Sequence, residues 1–151
     1  MIYPRISRGD LARLCVVASI SLFGATASAN TLALGDSIAL GTGRAMHVQT
    51  VARVGASSCA IVRFTPRGHF DRVVISAGVN DAPGRCLSKV LDTVDAEEVV
   101  FILPPGINSA RAAIGKLARD TGHKTVSYVP GRDGLHPRSY PAVAAAVARA
   151  W

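Results

Sequence analysis

Five short apolar runs alternate with helix-like stretches through most of this sequence. The runs are TLALG (31–35), VQTVARV (48–54), DRVVISA (71–77), EVVFIL (98–103) and KTVSYV (124–129). The first three stop at or just before Gly35, Gly55 and Gly78, and the last two stop at Pro104-Pro105-Gly106 and Pro130-Gly131. Between them, Ser37–Ala45, Ser57–Phe64, Leu87–Val94 and a stretch from about Ser109 to Asp120 read as helices. Asn108 or Ser109 can cap the fourth helix, and Ser139 can cap a final one of alanine and valine ending at Trp151. Strands without an alternating polar face suit a parallel sheet covered on both sides. With right-handed crossovers, the pattern predicts a three-layer α/β/α sandwich around a five-stranded parallel sheet. The expected strand order is the flavodoxin-like 2-1-3-4-5.

The segment before the first run reads differently. Arg5, Arg8 and Arg13 precede twelve largely apolar residues, Leu14–Ala25, and Ala27-Ser28-Ala29 forms a small-x-small site before Asn30. Twelve residues fall short of the roughly 20 that span a bilayer. Residues 1–29 are therefore expected to be a cleaved export signal, and residues 30–151 the mature domain, periplasmic or secreted without stable membrane association. Three of the 17 basic residues and one of the ten acidic ones lie in the leader, which leaves 14 against 9. The basic residues are scattered and lack interleaved aromatics, so a solvated surface is expected rather than a nucleic-acid interface.

Ligands of a doubly wound sheet bind beyond the C-terminal ends of the strands. Four segments fall there: Gly35-Asp36-Ser37, Gly55, Gly78-Val79-Asn80-Asp81 and Asp133-Gly134-Leu135-His136. Each has an ordinary explanation. Ser37 could cap a helix, Gly55 could make a turn, and the other residues are common in loops. Acyl transfer, however, requires all four together. A serine hydroxyl needs a neighbouring base, here His136, and the base needs a group that fixes its tautomer, here Asp133. The tetrahedral oxyanion needs aimed donors, for which the backbone N–H groups of Ser37 and Gly55 and the Asn80 amide are candidates. Glycine at 55 would let the backbone approach closely. Gly41-Thr42-Gly43-Arg44 lacks the Gly-Lys-Ser/Thr of a phosphate-binding loop and the third glycine of a dinucleotide fingerprint.

An early G-D-S, a lone glycine, G-x-N-D and a late D-x-x-H, in this order, resemble the four blocks of the SGNH/GDSL hydrolase superfamily. The resemblance spans nearly all of residues 30–151. It implies Ser37 as nucleophile, Asp133 and His136 as its triad partners, Ser37, Gly55 and Asn80 as the oxyanion hole, and no metal or cofactor. It also implies hydrolysis of an ester of a carbohydrate or small molecule. The loops between elements are brief, which predicts a shallow, open site and a short, acetyl-like acyl group. The alternatives are an acyltransferase using the same triad, and a non-catalytic binding module on the same fold.

Cys59 and Cys86 remain after removal of the leader with its Cys15, an even count that suits one disulfide in an exported chain. In the expected topology the helices after strands two and three lie side by side, and each cysteine falls near the start of one, so a Cys59–Cys86 bond is expected. No CxxC pair or His/Cys cluster suggests a structural metal. His47, His69 and His123 read as surface residues, as do Arg132 and Arg138. Asp36 and Asp81 are expected to anchor loops, Tyr140 and Trp151 to pack the last helix on the sheet, and the domain to be monomeric.

Overall fold

The computed structural model describes residues 29–81, 85–106 and 108–151. The expected leader lies outside these residues except for Ala29, as does Cys15. Five strands, β1 (Thr31–Gly35), β2 (Gln49–Ala52), β3 (His69–Ser76), β4 (Asp95–Leu103) and β5 (Lys124–Ser127), form one parallel sheet in the order β2-β1-β3-β4-β5. The helices are α1 (Ser37–Met46), α2 (Ser58–Phe64), α3 (Leu87–Asp92), α4 (Ser109–Asp120) and α5 (Tyr140–Ala150). The expected α/β sandwich and its strand order are both present. Among the described residues, no helix is long and apolar enough to cross a membrane.

The pleat divides the apolar residues between two cores. Leu32, Leu34, Val73, Ile75, Val99 and Phe101 face one side, with Ile61 of α2, Leu87 and Val90 of α3, and Ile114 and Ala118 of α4. Ala33, Val74, Val100 and Ile102 face the other, with Ile38 of α1 and Val143 and Val147 of α5. Burying each large side chain contributes about 1.5–3 kcal/mol, so both faces of the sheet hold the helices on. Among the described residues, every element lies between Thr31 and Ala150.

Element ends depart from the sequence pattern where partners decide them. β2 stops at Ala52 although Val54 continues the β-branched run, because Val54 and Gly55 form a turn with Gly55 at φ +71°. β4 starts at Asp95, three residues early, because Asp95 and Ala96 pair with His69 and Phe70 of a β3 that also starts early. β5 ends at Ser127, and α3 ends two residues sooner than expected.

Close packing demands glycine at several positions, Gly35 and Gly41 among them. Gly35 has φ +144°, and a Cβ there would lie 1.9 Å from the Ser76 carbonyl oxygen. A Cβ on Gly41 would lie 2.2 Å from the Tyr140 ring, which packs α5 against α1. On the opposite face a Cys59–Cys86 disulfide joins the second residue of α2 to the cap position of α3. Closing a loop of this length stabilises the fold by about 3–4 kcal/mol in the chain-entropy account.

Candidate active site

The register sets the geometry of the site. Gly35 pairs with Ala52 on one side and Ser76 on the other, so β1, β2 and β3 end level. The Asp36 amide donates to the Ser76 carbonyl at 3.1 Å, and the Arg53 amide to the Gly35 carbonyl at 3.0 Å. The chain leaving β1 is thus fixed on both flanks before it turns into α1.

Asp36, and not Ser37, caps that helix. Its Oδ1 accepts from the amides of Ile38 at 2.9 Å and Ala39 at 3.5 Å. Ser37 becomes the first helical residue, and its hydroxyl is left for other work. Among the described residues nothing accepts the Ser37 N–H, which points out of the positive end of the α1 dipole. Asp36 is buried, and that burial raises its pKa against the opposing effects of the Ser76 side chain and of the amides it caps. It anchors the turn.

The Ser37 Oγ lies 2.9 Å from Nε2 of His136, 99 residues further on. The other ring nitrogen, Nδ1, lies 2.6 Å from Oδ2 of Asp133. The second carboxylate oxygen accepts from the backbone amides of Leu135 and His136, both at 3.0 Å. Asp133 therefore holds both the ring and the backbone of the residue it orients. Its pKa falls to about 2, chiefly through the His136 hydrogen bond and then the two amides. With Nδ1–H donating to this carboxylate, Nε2 carries a lone pair toward the serine. The carboxylate's stabilising contribution is fully present above its ordinary value of 3.8 and is lost as pH falls through about 2.

The loop carrying Asp133 and His136 is closed on itself. Gly131 N–H donates to the His136 carbonyl at 2.7 Å, Arg138 N–H donates to the Val129 carbonyl at 2.9 Å, and Pro130 and Pro137 form an antiparallel bridge. Tyr128 adds a strut that the sequence pattern does not reveal. Its hydroxyl donates to the Leu135 carbonyl at 2.7 Å, next to the histidine, and partial burial raises its pKa. In the sequence it looks like one more residue of a strand. We expect Tyr128→Phe to lower kcat about three- to tenfold with KM nearly unchanged, since one neutral hydrogen bond contributes about 0.5–1.5 kcal/mol. Steady-state kinetics on a soluble ester check this, and an unchanged kcat would remove the strut from the account.

Gly55 and Asn80 reach the same edge from β2 and β3. Asn80 Nδ2 donates to the Ala56 carbonyl at 3.2 Å, which ties the two loops together and uses one of its two amide hydrogens. Among the described residues, no hydrogen bond joins either Gly55 or Asn80 to Ser37. Glycine at 55 suits its conformation, because the backbone there is left-handed; an added Cβ would meet no protein atom within 4 Å. Asp81 anchors the loop after β3. Its Oδ2 accepts from the Ser58 amide at 3.0 Å and from the buried Ser58 hydroxyl, at the head of α2. This Ser58–Asp81 tie also escapes sequence reasoning, since the partners lie 23 residues apart in loops of ordinary composition.

Several concavities border the histidine loop. One, about 300 Å³, is lined by Gly78, Val79 and Asp81, by Pro104, Pro105 and the head of α4 at Asn108–Ala110, and by Gly134 and Leu135. A longer apolar groove of about 670 Å³ runs along β5 and α5 from Arg138 to Arg149.

No protein-family model matches this chain, and no curated protein matches it. Among solved structures, the crystal structure of a GDSL-like lipase from Bacteroides thetaiotaomicron superposes on 80% of this chain and 86% of its own, with a TM-score of 0.56. The two share a fold. Their sequences are 17% identical, so the likeness is one of architecture.

Proposed function

We propose that the chain is an exported serine ester hydrolase acting on a short acyl ester of a carbohydrate or small molecule. The observation that carries this reading is the chain of two hydrogen bonds from Ser37 Oγ through His136 to Asp133. The shared fold with a GDSL-like lipase supports it.

In this mechanism Ser37 Oγ attacks the ester carbonyl carbon as its proton passes to His136 Nε2. Asp133 holds Nδ1–H and stabilises the imidazolium. The oxyanion is met by the Ser37 and Gly55 N–H groups and the free hydrogen of the Asn80 amide, with the α1 dipole behind them. The intermediate collapses, His136 protonates the departing alcohol, and an acyl-serine remains. Water then repeats the steps with His136 as base, which releases the acid and restores the hydroxyl. An acyltransferase would exclude water at this stage, whereas Asp133 and His136 are 52% and 40% exposed, which favours water as the acceptor.

The small cavity beside the loops that carry Asn80 and His136 is lined by their neighbours and not by Ser37, His136 or Asn80 themselves, and the brief loops around the triad suit a small acyl group. We therefore expect kcat/KM to be highest for p-nitrophenyl esters of two to four carbons in a series extending to sixteen. A maximum at twelve or more would assign the acyl chain to the longer groove beside α5. No hydrolysis anywhere in the series would contradict the esterase reading.

Export is part of the same proposal. It rests on the leader-like composition of residues 1–29, and the Cys59–Cys86 disulfide is the kind of bond that persists in an oxidising compartment.

A further inference from the structure

At the end of the sheet opposite the site, the residue that begins the proposed mature chain is held through its backbone and its side chain. The Asn30 N–H donates to Asp71 Oδ2 at 2.7 Å, and its side-chain Nδ2 donates to the His69 carbonyl at 3.0 Å. Its own carbonyl accepts from the amides of Asp71 at 3.0 Å and Arg72 at 3.3 Å. Around this point the domain, otherwise rich in cations, gathers acids. His69 and Asp71 of β3 and Glu97 of β4 bring one polar atom each within 4.8 Å of one another. Asp95 of β4 bonds His69 Nδ1 at 3.1 Å, and this bond is the main cause of the raised His69 pKa. Arg72, the next residue of β3, is engaged with Glu98 at 3.3 Å.

A backbone amide is a modest partner for such a concentration of negative charge. Hydrolysis of the Ala29–Asn30 bond changes the group that sits there. Water adds across the peptide, the carboxylate departs with the leader, and Asn30 keeps an α-ammonium in place of its N–H. We propose that Asp71, with Asp95 and Glu97 behind it, is a built receptor for the Asn30 α-ammonium, so that leader removal completes an ion pair and locks the start of β1 to β3. The inference shares with the proposed function only the position of cleavage, and it stands apart from the ester chemistry.

The group in direct contact with the Asn30 nitrogen is Asp71; His69 and Glu97 cluster about Asp71, Asp95 bonds His69, and the neighbouring cation Arg72 is engaged with Glu98. The direct Asp71 contact dominates, so the ammonium's pKa should lie above the ordinary value of roughly 7.7–8.0 for an α-amino group. A raised pKa gives stability that is fully present below the ordinary value and is lost as pH rises through the folded value.

The test compares residues 30–151 beginning at Asn30, released from a fusion by a protease that leaves no extra residue, with the same domain carrying Gly-Ser before Asn30. The extension keeps the N–H donor and moves the ammonium two residues away from Asp71, and the acetylated sample removes the charge. Each form is made with the parent Asp71 and with the substitution Asp71→Asn, and a fifth sample is the native form acetylated on its α-amine. In the parent background, the free ammonium should raise the folding equilibrium constant about fivefold over both the extended and the acetylated forms at pH 7, the upper range for an exposed pair. The advantage should fade above about pH 9, as the ammonium deprotonates, and be absent in the Asp71→Asn background. Equal stability of free and blocked forms, or an equal difference in both backgrounds, overturns the proposal. The acetylated sample keeps the test decisive if Asp71→Asn does not fold. N-terminal sequencing of the exported full-length chain decides the cleavage position separately, so a leader cut elsewhere and an unpaired ammonium give different results.

Discussion

Ser37→Ala is expected to abolish ester hydrolysis while leaving the fold intact. The expected loss in kcat is about 10⁴-fold or more, because removing the nucleophile leaves only binding and the oxyanion donors to assist attack by water. Stability should barely change. The Ser37 hydroxyl bonds His136, whereas the helix cap is supplied by the preceding residue, Asp36. The variant should therefore melt within about two degrees of the parent, as a surface-level substitution does. Had serine been the cap, alanine would cost about 1 kcal/mol and blur the distinction between lost chemistry and lost structure. Calorimetry beside steady-state kinetics reads both, and residual turnover near the parent rate would reject Ser37 as nucleophile.

Asp133→Asn is the second large effect. Asparagine's oxygen can still accept the Leu135 and His136 amides, so the loop keeps its backbone shape. Its NH₂ would then face His136 Nδ1, where the carboxylate oxygen now sits at 2.6 Å. An amide donor there makes Nδ1 the acceptor and moves the ring proton to Nε2, which removes the base from Ser37. The expected loss in kcat is about 10⁴-fold, with KM little changed. The pH profile adds an independent check. Asp133 stays ionised down to about pH 2, so an acid limb of activity anywhere above about pH 4 belongs to another group. A loss of less than about tenfold in Asp133→Asn would show that the histidine is oriented by something other than this carboxylate.

Much of this arrangement was legible in the order of residues, for identifiable reasons. Parallel strands covered on both faces leave continuous apolar runs, and TLALG, DRVVISA and EVVFIL carry that mark whatever surrounds them. The strand order follows from short connections and one handedness, so the shared edge of Ser37, Gly55, Asn80 and His136 follows too. Details decided by tertiary partners did not show. Asp36 and Ser37 are both competent caps, and only the backbone turn after Gly35 lets Asp36 reach the amides of Ile38 and Ala39. Asp95-Ala96-Glu97 is polar in part, yet it becomes strand because His69 and Phe70 lie alongside. Tyr128 ends an apparent strand, but its work is a bond to Leu135 in a loop whose closure no local pattern encodes. The positive φ at Gly55 is a further demand for glycine that no local pattern announces.

The central claim is that Ser37 is a nucleophile activated by a histidine 99 residues away. A fluorophosphonate reports this directly, since it reacts with activated serines and stays attached. The account predicts one adduct per chain, located by mass spectrometry on the peptide containing Ser37 and lost in His136→Ala. An unlabelled protein, or an adduct on a different residue, would contradict it.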